Sequence, residues 1–125
     1  MQEIISQLAA TIREATAIRR PLCIRGGGSK DFYGGPLRGE ALGVGAYRGI
    51  VDYEPTELVI TARAGTPLAE IEAVLREQGQ MLAFEPPHFG WLPSPFAPLP
   101  HKIATLGGCI SAGLSGPRSS RPSTV

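Results

Sequence analysis

The chain has 125 residues, a formal net charge of +1 and 42% hydrophobic side chains. That length allows one modest domain with a core. A charge this close to zero excludes a global field that would draw in nucleic acid or acidic lipid, so any anion must be recognised locally. No basic n-region follows Met1-Gln2-Glu3, and no run reaches the roughly 20 apolar residues of a membrane helix. A cytoplasmic protein with no transmembrane segment and no nucleic-acid partner is expected.

Ile4, Ile5, Leu8, Ile12 and Ala15 recur at helical spacing and predict an amphipathic helix over 3–16, ended before Arg19-Arg20-Pro21. Residues 22–25 read as a short buried strand. Residues 26–45 carry repeated glycines without periodicity and read as a loop. Residues 50–53 predict a second strand and 58–64 a third, in which Val59 and Ile60 favour extended backbone. A helix follows: Thr66 is the expected N-cap, Pro67 the first helical residue, and Glu70 complements the dipole in the first turn. Leu68, Ile71, Val74 and Leu75 form its apolar face, Glu72 and Arg76 are spaced to pair, and Gly79 supplies the left-handed stop. Residues 81–84 read as a strand. Residues 91–100 contain four prolines, at 93, 95, 98 and 100, and are expected as an extended loop, with a weak likeness to a proline-rich ligand. The expected fold class is α+β, a small sheet flanked by helices.

The candidate chemistry lies in glycines. The triplet Gly26-Gly27-Gly28, followed by Ser29 and Lys30, closes the first strand. Backbone free of side chains can turn tightly and aim several N–H groups at one anion, with a hydroxyl and an ammonium beside them. A Walker loop would need Gly-Lys-Ser/Thr opening a helix, and a dinucleotide fingerprint would need spaced glycines leading into one. Asp31-Phe32-Tyr33-Gly34-Gly35-Pro36 follows instead and opens no helix. A backbone nest and a plain flexible turn both remain. A second small-residue stretch, 104–116, includes Thr105, Gly107, Gly108, Gly113, Ser115 and Gly116 and would let backbone approach a bulky ligand or another backbone. Cys23 and Cys109 belong to no CxxC motif and read as small buried thiols. His88 and Tyr53 read as a surface and a packing residue, and no acid/base or nucleophile constellation is spaced for catalysis.

Three runs together resemble the FAD-binding domain of the p-cresol methylhydroxylase and vanillyl-alcohol oxidase superfamily of FAD-linked oxidases. They are Arg25-Gly26-Gly27-Gly28-Ser29-Lys30, the run from Ile50 to Leu68 through Ala64-Gly65-Thr66-Pro67, and Ala104-Thr105-Leu106-Gly107-Gly108. Within it, Leu82-Ala83-Phe84-Glu85-Pro86-Pro87-His88-Phe89-Gly90 and Leu114-Ser115-Gly116-Pro117-Arg118 are similar to the FAD-binding subunits of glycolate oxidases. The resemblance covers 1–90 and 104–118. It implies the N-terminal portion of a PCMH-type FAD-binding domain over 1–118, with 91–103 a proline-rich insertion or loop and 119–125 an irregular tail. It also implies bound FAD, with the pyrophosphate on the backbone of Gly26, Gly27, Gly28, Ser29 and Lys30. Gly107 and Gly108 would pass close to the flavin, Thr105 would offer a hydroxyl, and Gly113, Ser115 and Gly116 would continue the strip. Some relatives attach FAD through a histidine in the first loop; Ser29 stands here, so non-covalent FAD is expected.

In such a parent enzyme the flavin takes hydride from a 2-hydroxy acid while the protein binds and orients. Relatives carry a second half-domain and a substrate cap, and run nearly continuously across 91–103. The expectation is therefore a cofactor-binding piece with weak or absent FAD affinity, inactive on its own. The alternatives are an assembly module docking on other glycolate oxidase subunits, and a nest for a different phosphate ligand.

Overall fold

A computed structural model describes residues 1–28, 38–84 and 104–113. In chain order these form α1 (Gln2–Ala17), β1 (Leu22–Arg25), β2 (Glu40–Gly43), β3 (Ile50–Glu54), a 3-10 turn (Pro55–Glu57), β4 (Val59–Ala62), α2 (Leu68–Glu77) and α3 (Leu106–Ala112). The content is mixed helix and strand, as expected. The sheet is not single, however. β1 pairs with β2 in parallel, and β3 pairs with β4 antiparallel, as two separate two-stranded ribbons.

The predicted first helix forms and extends by one residue at each end. Its chain reversal is closed by the Arg20 N–H donating to Ala15 O at 2.8 Å. Among its residues only Ala15 is buried, and Ile5 and Ile12 remain 42% and 46% exposed. The apolar spacing thus sets the helix, while the described core lies elsewhere.

β1 was expected to be buried and is not: Ile24 is 72% exposed and its neighbours are half-buried. A parallel partner requires a crossover of about a dozen residues, and the glycine-rich segment 26–39 supplies it. β2 itself falls inside the predicted loop. Glu40-Ala41-Leu42-Gly43 lacks β-branched residues, and only Leu42 is buried. The third predicted strand contracts to Val59–Ala62; at its start Leu58 turns left-handed (φ 57°) to close the 3-10 turn. Residues 81–84 form no strand. Phe84 packs on the core instead.

α2 carries three of the seven buried apolar residues described. Leu68 and Ile71 are 0% and 1% exposed, Leu75 is buried and Val74 half-buried, matching the predicted face. Full burial of each such aliphatic side chain is worth about 1.5–3 kcal/mol. The predicted stop also forms. The Gly79 N–H donates to Arg76 O and the Gln80 N–H to Leu75 O, with Gly79 at φ 64°, a Schellman ending. The start differs from expectation. Pro67, not Thr66, flanks the helix without a side-chain cap. The fully buried Thr66 hydroxyl is committed to Gly49, accepting its N–H at 3.0 Å and donating to its carbonyl at 3.2 Å.

Cys109 is buried as expected and Cys23 only half-buried; neither forms a disulfide. No described helix is long and apolar enough to cross a membrane.

Candidate functional site

β1 delivers the first glycine segment. The last rung of the β1–β2 ladder is the Val44 N–H donating to Arg25 O at 2.8 Å. Beyond it, no backbone hydrogen bond between described residues takes up the N–H of Gly26 or Gly27. Gly28 follows with φ 73°. Ser29 and Lys30, expected to complete the nest, lie outside the described residues.

The second segment was expected as a strip of backbone and is instead the short helix α3, seven residues long. Thr105 is its N-cap, with extended backbone and a hydroxyl oxygen that accepts the Gly108 N–H at 3.3 Å. The Leu106 N–H donates to Thr66 O at 2.9 Å and the Gly107 N–H to Ala64 O at 2.8 Å. The donors that open the helix are therefore engaged within the protein, and Gly107 and Gly108 present no free N–H to an anion. Gly113 ends the helix in a left-handed conformation, φ 67°. Ser115 and Gly116 lie outside the described residues.

The fold brings these distant segments into contact. Pro67 and Thr105 form an antiparallel bridge, in which the Leu68 N–H donates to Ala104 O at 2.9 Å. Below the bridge sit Leu68, Ala104 and Cys109, with Phe84 and Leu106 packed around them. On its other side Thr105 meets the first glycine loop: a Cβ at Gly26 would lie 2.5 Å from the Thr105 hydroxyl oxygen and 3.3 Å from its methyl. Such a separation is far inside van der Waals contact, so residue 26 must be glycine for the loop to sit here. Gly107 answers a similar demand, since its Cβ would stand 2.9 Å from the Ala64 Cβ.

Charges near the turn 44–49 are already paired. The Arg48 guanidinium donates to the Glu70 carboxylate at 3.0 Å. Arg63 lies 5.8 Å from the centre of the Tyr47 ring and donates to Arg48 O at 3.4 Å. The Tyr53 hydroxyl donates to Gln80 Oε1, and Gln80 Nε2 donates to Pro55 O at 2.8 Å. Gln80, just past α2, thus ties β3 and the 3-10 turn together, and Tyr53 is half-buried as expected. His88 lies outside the described residues. No group of three potential metal ligands occurs among the described residues. What remains is a contact between two backbone segments, with two N–H groups on one side that no described backbone group accepts and no acid/base pair among the described residues. Such backbone donors suit an anion.

Sequence reasoning missed Ala64 and Thr66, which hold α3 in place. Their signal was present in Ala64-Gly65-Thr66-Pro67, but a threonine before Pro-Leu reads equally well as a helix cap.

A family model described as FAD binding domain matches residues 3–125. The protein named glycolate oxidase subunit GlcE, from Escherichia coli (strain K12), is 49% identical over 111 residues, covering 89% of this chain. The aligned part is 29% of that protein, so the chain spans under a third of its relative. No solved structure matches the chain significantly.

Proposed function

The chain belongs to the FAD-binding domain family, and on that premise we propose that it holds FAD non-covalently, with the pyrophosphate on the backbone of Gly26, Gly27, Gly28, Ser29 and Lys30. The observation that carries this reading is the contact of Gly26 with Thr105. Two segments about 80 residues apart in sequence meet, as an extended ligand touching both would require. The donor chemistry fits: N–H groups at Gly26 and Gly27 lie past the end of their ladder, and clustered backbone N–H groups suit phosphate oxygens. The donors of Gly107 and Gly108 are engaged, so their contribution is close backbone approach. The Thr105 hydroxyl accepts from Gly108 and keeps its own proton to donate. Gly113, Ser115 and Gly116 would continue this edge. Ser29 in place of a histidine supports non-covalent attachment.

The portion read is the N-terminal part of a PCMH-type domain over 1–118, with 91–103 an insertion and 119–125 a tail. The whole protein of this type would oxidise a 2-hydroxy acid in the cytoplasm, beside other glycolate oxidase subunits. Bound flavin supplies the hydride acceptor, while this chain's residues bind and orient it. A second reading, an assembly module, draws on the exposed Ile5 and Ile12 of α1.

Titration of the purified chain with FAD, followed by flavin fluorescence and visible absorbance, tests the proposal. Saturable though weak binding is expected, with ADP as a competitor for the pyrophosphate seat. Gly26→Ala places a methyl against the Thr105 hydroxyl and is expected to weaken binding by about tenfold or more, the scale of a 1.4 kcal/mol loss. A folded chain by circular dichroism that neither binds FAD nor yields to ADP overturns it.

A further inference from the structure

Gly65 is buried, and main chain crowds it closely. A Cβ there would lie 2.5 Å from Val44 O, 2.6 Å from Tyr47 O and 3.0 Å from Gly45 O. All three are main-chain carbonyls, so none can swing aside as a side chain would. The residue's own N–H donates to Tyr47 O at 2.8 Å, fastening it to the same turn.

That turn backs the first glycine segment. The Val44 N–H makes the last ladder rung to Arg25 O, and a Cβ at Gly45 would lie 3.7 Å from Gly26 O. On the other side, Ala64 accepts the Gly107 N–H at 2.8 Å and Thr66 accepts the Leu106 N–H at 2.9 Å. Gly65 therefore sits in the middle of a continuous backbone path, from Arg25 and Gly26 through the turn 44–47 to the start of α3.

We propose that Gly65 is a positioning residue for the cofactor seat: its lack of a side chain lets the turn 44–47 close onto residues 64–66, and so holds the first glycine loop in register with Thr105 and α3. Any side chain at 65 must displace three carbonyls at once, and the displacement runs directly into the ladder end that presents Gly26 and Gly27. The functional consequence rests on the FAD reading above; the mechanical coupling does not.

Amide hydrogen exchange read residue by residue in the ligand-free chain separates the two. In the wild-type chain the amides of Val44, Gly65 and Gly107, each hydrogen-bonded along the path, are expected to share one opening equilibrium with one urea dependence, as a cooperative unit does. The Gln80 amide at the end of α2 is expected to open separately. In Gly65→Ala, protection at Val44 and Gly107 should fall together by about tenfold, with Gln80 little changed. Gly79→Ala, whose Cβ would meet nothing within 4 Å but whose φ is +64°, should show the reverse pattern. FAD affinity should fall with Gly65→Ala and hold with Gly79→Ala. Different urea dependences for Val44 and Gly107 in the wild type overturn the coupling even if Gly65→Ala cannot fold. Protection that falls uniformly in Gly65→Ala overturns it as well. If the coupling appears but FAD binds no variant and not the wild type, the coupling stands and the FAD reading fails.

Discussion

The two glycine segments resemble one another in sequence and do opposite things in the fold. Gly26-Gly27-Gly28 runs off the end of a parallel ladder, where its first two N–H groups find no described backbone acceptor. Gly107-Gly108 opens α3, where the N–H groups are taken by Ala64 O and the Thr105 hydroxyl. In both places glycine is required for space: one lies against a threonine side chain, the other against Ala64. Glycine clustering therefore reports close approach reliably, while anion-binding capacity depends on whether the next element consumes the donors. A helix that caps itself consumes them; past the β1–β2 ladder no described backbone group does so at Gly26 and Gly27.

The largest way to disturb this contrast is to remove what supports the second segment. Leu68 is fully buried beneath Ala104 and Cys109. Leu68→Ala should cost about 2–5 kcal/mol, the range for cavities left by large-to-small core changes. Urea denaturation of the purified chain measures it. Val44 and Gly107 lie on one backbone path, so their amides should lose exchange protection together. A loss at Gly107 that leaves Val44 unchanged would show that the two segments are supported separately.

Much of this arrangement could be read from sequence, and the parts that could not have identifiable causes. α1 and α2 were legible because their apolar spacing repeats over several turns, and the Gly79 stop because a Schellman ending needs a left-handed residue just there. β2 was hidden because Glu40-Ala41-Leu42-Gly43 has no local strand preference; it pairs only because β1 offers a parallel edge across a long crossover. α3 was hidden by its own composition. Gly107 and Gly108 are poor helix formers, and a tertiary contact with Ala64 outweighs that preference. Thr66 was assigned to the wrong partner for a related reason. Its hydroxyl could cap α2 locally or bond Gly49, seventeen residues away, and only the fold decides between them. Of the site residues, Gly26 and Thr105 do come together and Gly107 packs as an approach point, whereas donor roles for Gly107 and Gly108 were not separable from space-making roles in one dimension.

A smaller perturbation probes the donor accounting itself. Thr105→Val keeps the volume and branching beside Gly26 but removes the hydroxyl that accepts the Gly108 N–H. Loss of an N-cap acceptor costs about 1 kcal/mol, and denaturation should show a loss of that size. The Gly108 amide should exchange faster while Gly107, bonded to Ala64, holds. Thr105→Ser, which retains the hydroxyl, should recover most of the loss in Gly108 protection.

The smallest effect is expected where charge, not space, makes the link. Arg48 and Glu70 join the turn 44–49 to the first turn of α2 at 3.0 Å, with side chains 54% and 38% exposed. Solvent screens such a pair, and exposed ion pairs are typically worth 0 to about 1 kcal/mol. Arg48→Ala also leaves untouched the Arg48 carbonyl, which accepts from Arg63. The prediction is a stability loss of a few tenths of a kcal/mol that shrinks as salt rises through about 0.15 M, where the screening length is near 8 Å. The melting temperature at low and high salt measures it. A large, salt-independent loss would mean that the turn backing the first glycine segment is held by this ion pair more than by the carbonyls around Gly65, and the contrast between the two glycine segments would then be electrostatic in origin.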